Sequence, residues 1–456
     1  MAKETEIKLR ASRETLLALR EHPLLKKRNK SGWASHELFN QYYDSADRDL
    51  ARAHVALRLR RDGEQVIQTL KSRGQSVAGL SERNEWDWHL DKAKLDLKKL
   101  TDDCWPAELA ELDKKTLKPI FSTDFVREKA EIAWGRGKAK VVIEAALDLG
   151  QVKAGKQAEE ICELELELRQ GEPEALLELA IELAADLPLM PCDISKAERG
   201  YRLYDAEGYG LNLPAPVLDA SMPLDEAVPA LGWQLLGNSQ RLAEQYRFNG
   251  HWKLLNDWLA QLIELRALLG SLGQAAPRAS SHELRELLDA LIGDWRPRLE
   301  AGQGDEAIRQ AAPAEFAAEL GRTRWGLFSL KASQWLLQRG WTTGRNARGD
   351  RQGAAELGKW LMHLLAEEAK ALQLPRYQRQ PEDLAEQSPR MERLLVWLHL
   401  ARGVLLELPE TDRLYGELAK LHELARQPLT DEARQLRAEQ AHIVWTLKAW
   451  KHLLRH

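Results

Sequence analysis

Glu4-Thr5-Glu6-Ile7-Lys8 sets two carboxylates and an ammonium on alternate positions, with Thr5 and Ile7 between them. In a β-strand that period puts all three charges on one face. Such a face is either washed by solvent or lines a charged cavity, because a charge in an apolar core must be paired or bound to a metal. Taken alone, the five residues read as a solvated edge strand. What decides between the two is whether the pattern returns.

It returns along the N-terminal half. In Ala56-Leu57-Arg58-Leu59-Arg60-Arg61 the leucines face one way and Arg58 and Arg60 the other. Asp62-Gly63 is a two-residue hairpin signal, followed by Gln65-Val66-Ile67-Gln68-Thr69-Leu70-Lys71. A strand over 79–90 carries Arg83, Glu85 and Asp87 on one face and Trp86, Trp88 and Leu90 on the other. In 125–132 Arg127 and Lys129 share a face, and in 140–150 Glu144 and Asp148 stand four apart. The clearest alternation is Cys162-Glu163-Leu164-Glu165-Leu166-Glu167-Leu168. Short helices are expected after Ser12 as N-cap, over 91–100 and 108–117, and over 173–187. About eight antiparallel strands follow from this count. With the charged face outward, they make an open half-sandwich. With it inward, they make a closed barrel with a charged lumen.

The charges sort by sign in a way that favours the barrel. Glu4, Glu6, Glu163 and Glu165 form one set, and Lys8, Arg58, Arg60, Lys71 and Arg127 another. Carboxylates are hard ligands for Mg²⁺ or Mn²⁺, and a corridor of Arg and Lys suits a chain of phosphates. Together they are the equipment of metal-assisted phosphoryl transfer. For Glu144 and Asp148 a lumen role and a solvated role are both open. The chain as a whole has 66 Lys and Arg against 70 Asp and Glu, a net charge of −4, so charge gives no ground for nucleic-acid binding. Its three cysteines have no metal or disulfide spacing, the N-terminus shows no apolar signal, and no run is apolar enough for a bilayer. A cytoplasmic protein with no membrane partner is the expectation. At 456 residues, two domains are expected.

The E-x-E-x-K start, the ALRLR strand, QTLK and the late CELELEL strand resemble the CYTH superfamily, the triphosphate tunnel metalloenzymes. The resemblance covers about residues 1 to 205. It implies an α+β chain with an N-terminal eight-stranded antiparallel β-barrel tunnel that hydrolyses tripolyphosphate to pyrophosphate and phosphate, with Mg²⁺ or Mn²⁺. By resemblance Glu4, Glu6, Lys8 and Lys71 are catalytic, and Glu4, Glu6, Glu163 and Glu165 hold metal. Arg58, Arg60, Lys71, Arg83, Arg127, Lys129 and Lys196 bind substrate, Arg83 pairing with Glu85. The triple Glu163, Glu165, Glu167 leaves open which two face the metal. A carboxylate, Lys8 or metal-bound hydroxide is open as the general base. Thiamine triphosphate or ATP as substrate, and a polyphosphate-binding module with little turnover, are the alternatives.

Residues 206–220, with Pro214 and Pro216, read as a linker, and 221–456 as an all-α bundle. Helical periodicity runs through 231–248, 251–269, 281–292, 314–337, 353–371, 388–408, 412–426 and 430–454, with Pro297 among the breaks. The pairing of tunnel and bundle resembles bacterial CYTH–CHAD inorganic triphosphatases, whose helical part binds polyphosphate. His251 stands where that family has a histidine, but Leu254 to Leu259 replace much of the basic helix expected after it. The second basic helix keeps only Arg390, Arg393 and Arg402, with its histidine displaced to His399. Lys and Arg in this half are nearly matched by Asp and Glu, which suits a scaffold or partner-docking role equally.

Overall fold

The computed structural model describes residues 2–29, 31–72, 74–77, 80–135 and 141–456. Residues 79 and 140, expected to open two strands, lie outside them. The chain divides into two compact units. The first takes residues 1–213, 236–258 and 293–338, and the second takes 214–235, 259–292 and 339–456.

The first unit holds ten strands: β1 (Ala2–Arg10), β2 (Ala34–Asp44), β3 (Ala56–Asp62), β4 (Gln65–Lys71), β5 (Gln75–Val77), β6 (Leu80–Leu90), β7 (Lys118–Trp134), β8 (Val141–Ala154), β9 (Gln157–Gln170) and β10 (Met190–Pro191). Antiparallel pairing runs β1–β9–β8–β7–β2–β3–β4–β6 and back to β1, which closes an eight-stranded barrel. The short β5 and β10 lie on its edges. The closed-barrel expectation holds, and closure removes every free sheet edge from the ring.

The largest apolar cluster lies outside this ring, and a smaller one, with Leu38, Tyr42, Phe121 and Phe125, fills one end of the lumen. Ile7 and Leu9 of β1, Ile143 and Leu147 of β8, and Leu164 and Leu166 of β9 are buried against helices α1 (Arg13–Glu21), α2 (Pro23–Arg28) and α3 (Glu174–Asp186). The alternate residues therefore point inward, which is why charge fills the rest of the lumen. Ser12 caps α1 as expected, accepting from Thr15 N at 3.1 Å. Helix α4 (Lys196–Tyr204) lies across one end of the barrel, where Leu203 packs with Phe121, Val152 and Ile161. The approach is close: a Cβ on Gly200 would stand 2.2 Å from the Phe121 ring. Residues 236–258 add Glu244, 3.2 Å from the buried Arg10.

Three local expectations give way. Residues 91–100 and 108–117 form only 3-10 turns at Leu97–Lys99, Ala107–Leu109 and Lys114–Thr116. Asp96 and Asp113 draw the following backbone into turns through their own carboxylates, and the Gln68 amide holds the Asp96 backbone on both sides. At the hairpin, Asp62 stays in the ladder opposite Gln65, and the loop is Gly63-Glu64, with Gly63 at φ 58°. Pro297 does not end a helix, because His282–Gly304 runs through it and buries Trp295 and Leu299 on either side.

The second unit is helical throughout its longer segments. Its core includes Leu361, Leu365, Trp397, Leu418 and Trp450, and Arg345 pairs with Asp225 within it. No helix of the described residues is long and apolar enough to cross a membrane.

Candidate active site

Directly opposed residues of an antiparallel pair share a face, so the barrel register lays the lumen out in rows. Glu144, Glu167 and Glu6 form one row across β8, β9 and β1. Ala146, Glu165 and Lys8 form the next. Asp148, Glu163 and Arg10 form the third, extended on β7 by Arg127. Across the barrel, β3 and β4 bring Arg58, Arg60 and Lys71, while β6 brings Arg83 and Glu85. One wall is rich in carboxylates and the opposite wall in cations. Between them lies a cavity of about 250 Å³. Glu4, Glu6, Lys8, Arg58, Arg60, Lys71, Arg83, Arg127, Lys129, Glu165 and Lys196 all line it. Glu163 does not, being fully buried behind it.

The carboxylates fall into a deep and an outer cluster. Asp148, Glu163 and Glu165 bring oxygens within 4.8 Å of one another, an arrangement that could hold a cation. A cation of the chain already stands there. Lys196 Nζ lies 2.7 Å from Asp148 and 2.9 Å from Glu165, and also donates to Glu163. Arg127 grips both oxygens of Asp148, at 2.7 and 2.6 Å, and reaches Glu165 as well. Arg199 holds Glu163 at 3.1 Å. Burial alone would raise the pKa of Glu165, but Lys196, Arg127 and Lys8 overcome it and hold the group well below the usual range. Burial of Glu163 is likewise overcome, by Lys196, Lys8 and Arg199.

The outer cluster is Glu4, Glu6, Glu144 and Glu167. Among the described residues its three cations serve four carboxylates, and two of these cations, Lys71 and Lys8, are shared with Glu85 and Glu165. Arg169 bridges Glu144 at 3.0 Å and Glu167 at 2.6 Å, Lys71 binds Glu4 at 2.6 Å, and Lys8 stands 3.8 Å from Glu6. Burial, together with Glu4, Glu144 and Glu6, pushes Glu167 up to about 7, against the pull of Arg169. Glu6 is raised by burial and by Glu165 and Glu4, with Lys8 opposing. Four hard oxygen donors crowded together, with Glu6 and Glu167 raised, fit a divalent cation.

On the basic wall the guanidinium of Arg60 makes no ion pair among the described residues. It donates to Asn40 Oδ1 at 2.9 Å. Burial and the neighbouring Arg58 and Arg127 lower it to about 10. Lys71 spans Glu4 and Glu85, and Arg58 lies 3.5 Å from Glu85. Residues the sequence did not single out also line the cavity. Tyr42 stands opposite Arg58 in register, and His36 pairs with Asp62. Both stand on β2, where alternation was the available signal, masked by neutral neighbours such as Leu38 and Asn40. The basic residues named in the helical half are neutralised locally: Arg390 and Arg393 by Glu368, and Arg402 by Asp412. His399 is largely exposed, 3.9 Å from Glu264.

Residues 2–201 match the CYTH domain model. An inorganic triphosphatase from Haemophilus influenzae is 34% identical over 166 residues, which is 36% of this chain and 46% of that protein. The chain thus spans about half the length of this curated relative. A Hippeastrum structure, described as an adenylyl cyclase candidate with a dominant triphosphatase activity, covers 43% of this chain and 95% of its own, at 21% identity and TM-score 0.32. A Mimivirus capping-enzyme triphosphatase covers 40% and 88%, at 11% identity and TM-score 0.25. Scores this low carry no weight beside the family match. Residues 2–201 of this chain are a CYTH domain.

Proposed function

We propose that this chain is a metal-dependent inorganic triphosphatase that cleaves tripolyphosphate to pyrophosphate and phosphate inside the barrel. The observation that carries the reading is the facing of an acidic and a basic wall across one cavity, closed at one end by α4. A phosphate chain is a row of negative charges, and only the basic wall can receive it. Arg58, Arg60, Arg83 and Lys129 bind its oxygens, with Lys71 and Arg127 exchanging carboxylate partners for phosphate. Lys196 fixes the deep carboxylates, so that Glu165 presents a constant charge toward the lumen.

Glu4, Glu6 and Glu167 are the residues that would hold Mg²⁺ or Mn²⁺, with Glu165 behind them. When bound, the ion supplies charge neutralisation at the phosphate oxygens. Lys8, between Glu6 and Glu165, is placed to orient a water or a phosphate oxygen at the acidic wall. In this reading the helical region is a CHAD-like accessory and the protein is cytoplasmic. The test is phosphate release from tripolyphosphate, thiamine triphosphate, ATP, pyrophosphate and long polyphosphate, each with Mg²⁺, Mn²⁺ or EDTA. Metal-dependent release from tripolyphosphate is expected. Faster release from another triphosphate would change the substrate, and binding of long polyphosphate without any release would make the protein a receptor.

A further inference from the structure

His36 lies on β2, opposed in register to Arg127 of β7, and so on the lumen face. It lines the same cavity, with its side chain 28% exposed. Its Nδ1 stands 3.2 and 3.1 Å from the two oxygens of Asp62, the last residue of β3. An ionised carboxylate only accepts hydrogen bonds, so the Nδ1 proton is committed to Asp62. Nε2 has no partner among the described residues. The groups about the ring are Asp62 and, two residues before it, Arg60 on β3, with Arg127 and, one pair further along, Lys129 on β7.

This fixed tautomer makes the ring a conditional phosphate ligand. A neutral His36 offers the lumen only the Nε2 lone pair, which a phosphate oxygen avoids. A protonated His36 offers an N–H and a positive charge beside Arg60 and Arg127. We infer that His36 is a further substrate-binding residue, whose protonated ring donates from Nε2 to a phosphate oxygen of the bound chain and adds a charge-assisted contact to the basic wall. The contact rests on the triphosphate reading above. Asp62 acts as a positioning residue: it holds the ring and keeps Nε2 turned from its own carboxylate. Because histidine changes charge near neutrality, binding tightens as the solution becomes mildly acidic, and the protein takes up a proton as it binds.

The experiment is a calorimetric titration of the full-length protein with inorganic tripolyphosphate in EDTA, for wild type and His36→Asn, near pH 6 and near pH 8. The asparagine amide keeps a donor for Asp62 but cannot be charged. Comparing the two proteins at each pH cancels the ligand's own ionisation. Wild type should bind about tenfold more tightly than the variant near pH 6, and equally near pH 8. If His36→Asn does not fold, His36→Gln carries the same comparison. An affinity ratio that is the same at both pH values would overturn the inference. Wild-type protein that binds no tripolyphosphate at either pH would overturn the triphosphate reading and this contact with it.

Discussion

The deep and outer carboxylate clusters share β8 and β9, where their members stand two to four residues apart, and β1 adds Glu4 and Glu6 to the outer one; their electrostatics are opposite. Asp148, Glu163 and Glu165 are saturated by Lys196, Arg127 and Arg199. Glu6 and Glu167 are raised instead, because burial and neighbouring carboxylates outweigh Lys8 and Arg169. The strands supply both clusters by the same alternation. What separates them is a helix from elsewhere in the chain: α4 delivers an ammonium and a guanidinium to the deep end only. A buried ionic cluster whose built-in cations hold its carboxylates ionised is part of the fold, whereas one whose cations fall short of that is kept for a ligand.

The sharpest way to break this comparison is to remove the cation at the centre of the deep cluster. Lys196→Met leaves three buried carboxylates with one fewer partner, and should cost about 3–5 kcal/mol in denaturant unfolding. An unchanged midpoint would mean that the deep cluster is not structural. Next, Glu6→Gln should lower metal-dependent turnover by about a hundredfold or more while leaving the EDTA unfolding midpoint unchanged or higher. A large loss of stability would make Glu6 a structural partner of Lys8.

A third prediction uses pH. Glu167 has a folded pKa of about 7, above its unfolded value. Folding therefore disfavours its ionised form, and the stability it contributes at low pH is lost as pH rises toward 7. Glu165 has a lowered folded pKa, so its contribution is present above the unfolded value and lost as pH falls. In EDTA, Glu167→Gln should gain about 2 kcal/mol near neutral pH over wild type, and nothing near pH 4. A gain that is flat with pH would place the effect in packing. The smallest effect expected is that of Arg60→Ala. It should raise KM about tenfold through one lost charge-assisted contact, with a loss of about 1 kcal/mol of stability from the buried Asn40 hydrogen bond, since Arg60 makes no ion pair among the described residues.

Much of this was legible in the sequence because the period of two is strict wherever one face is buried. Ile7, Leu57, Leu164 and Leu166 fixed which side of each strand met the helices, and so which charges faced inward. The order of the clusters was not legible. Glu163, Glu165 and Glu167 are equivalent by alternation, and only the docking of Lys196 and Arg199 tells the structural end from the open one. His36 was missed for a related reason, since its partner Asp62 lies across a strand pair and read as a turn residue. The segment 91–117 misled because helical spacing of its leucines competes with aspartate-led turns that only Gln68 reveals. The role of residues 236–258 was out of reach, since Glu244 meets Arg10 across more than two hundred residues.

The most direct test of the two-cluster account is a Mn²⁺ titration of wild type, Glu167→Gln and Glu163→Gln, with unfolding curves recorded on the same samples. The account predicts that Glu167→Gln weakens Mn²⁺ binding about tenfold or more, while Glu163→Gln changes it little and lowers stability instead. Loss of Mn²⁺ binding in Glu163→Gln, with binding intact in Glu167→Gln, would put the metal in the deep cluster and contradict it.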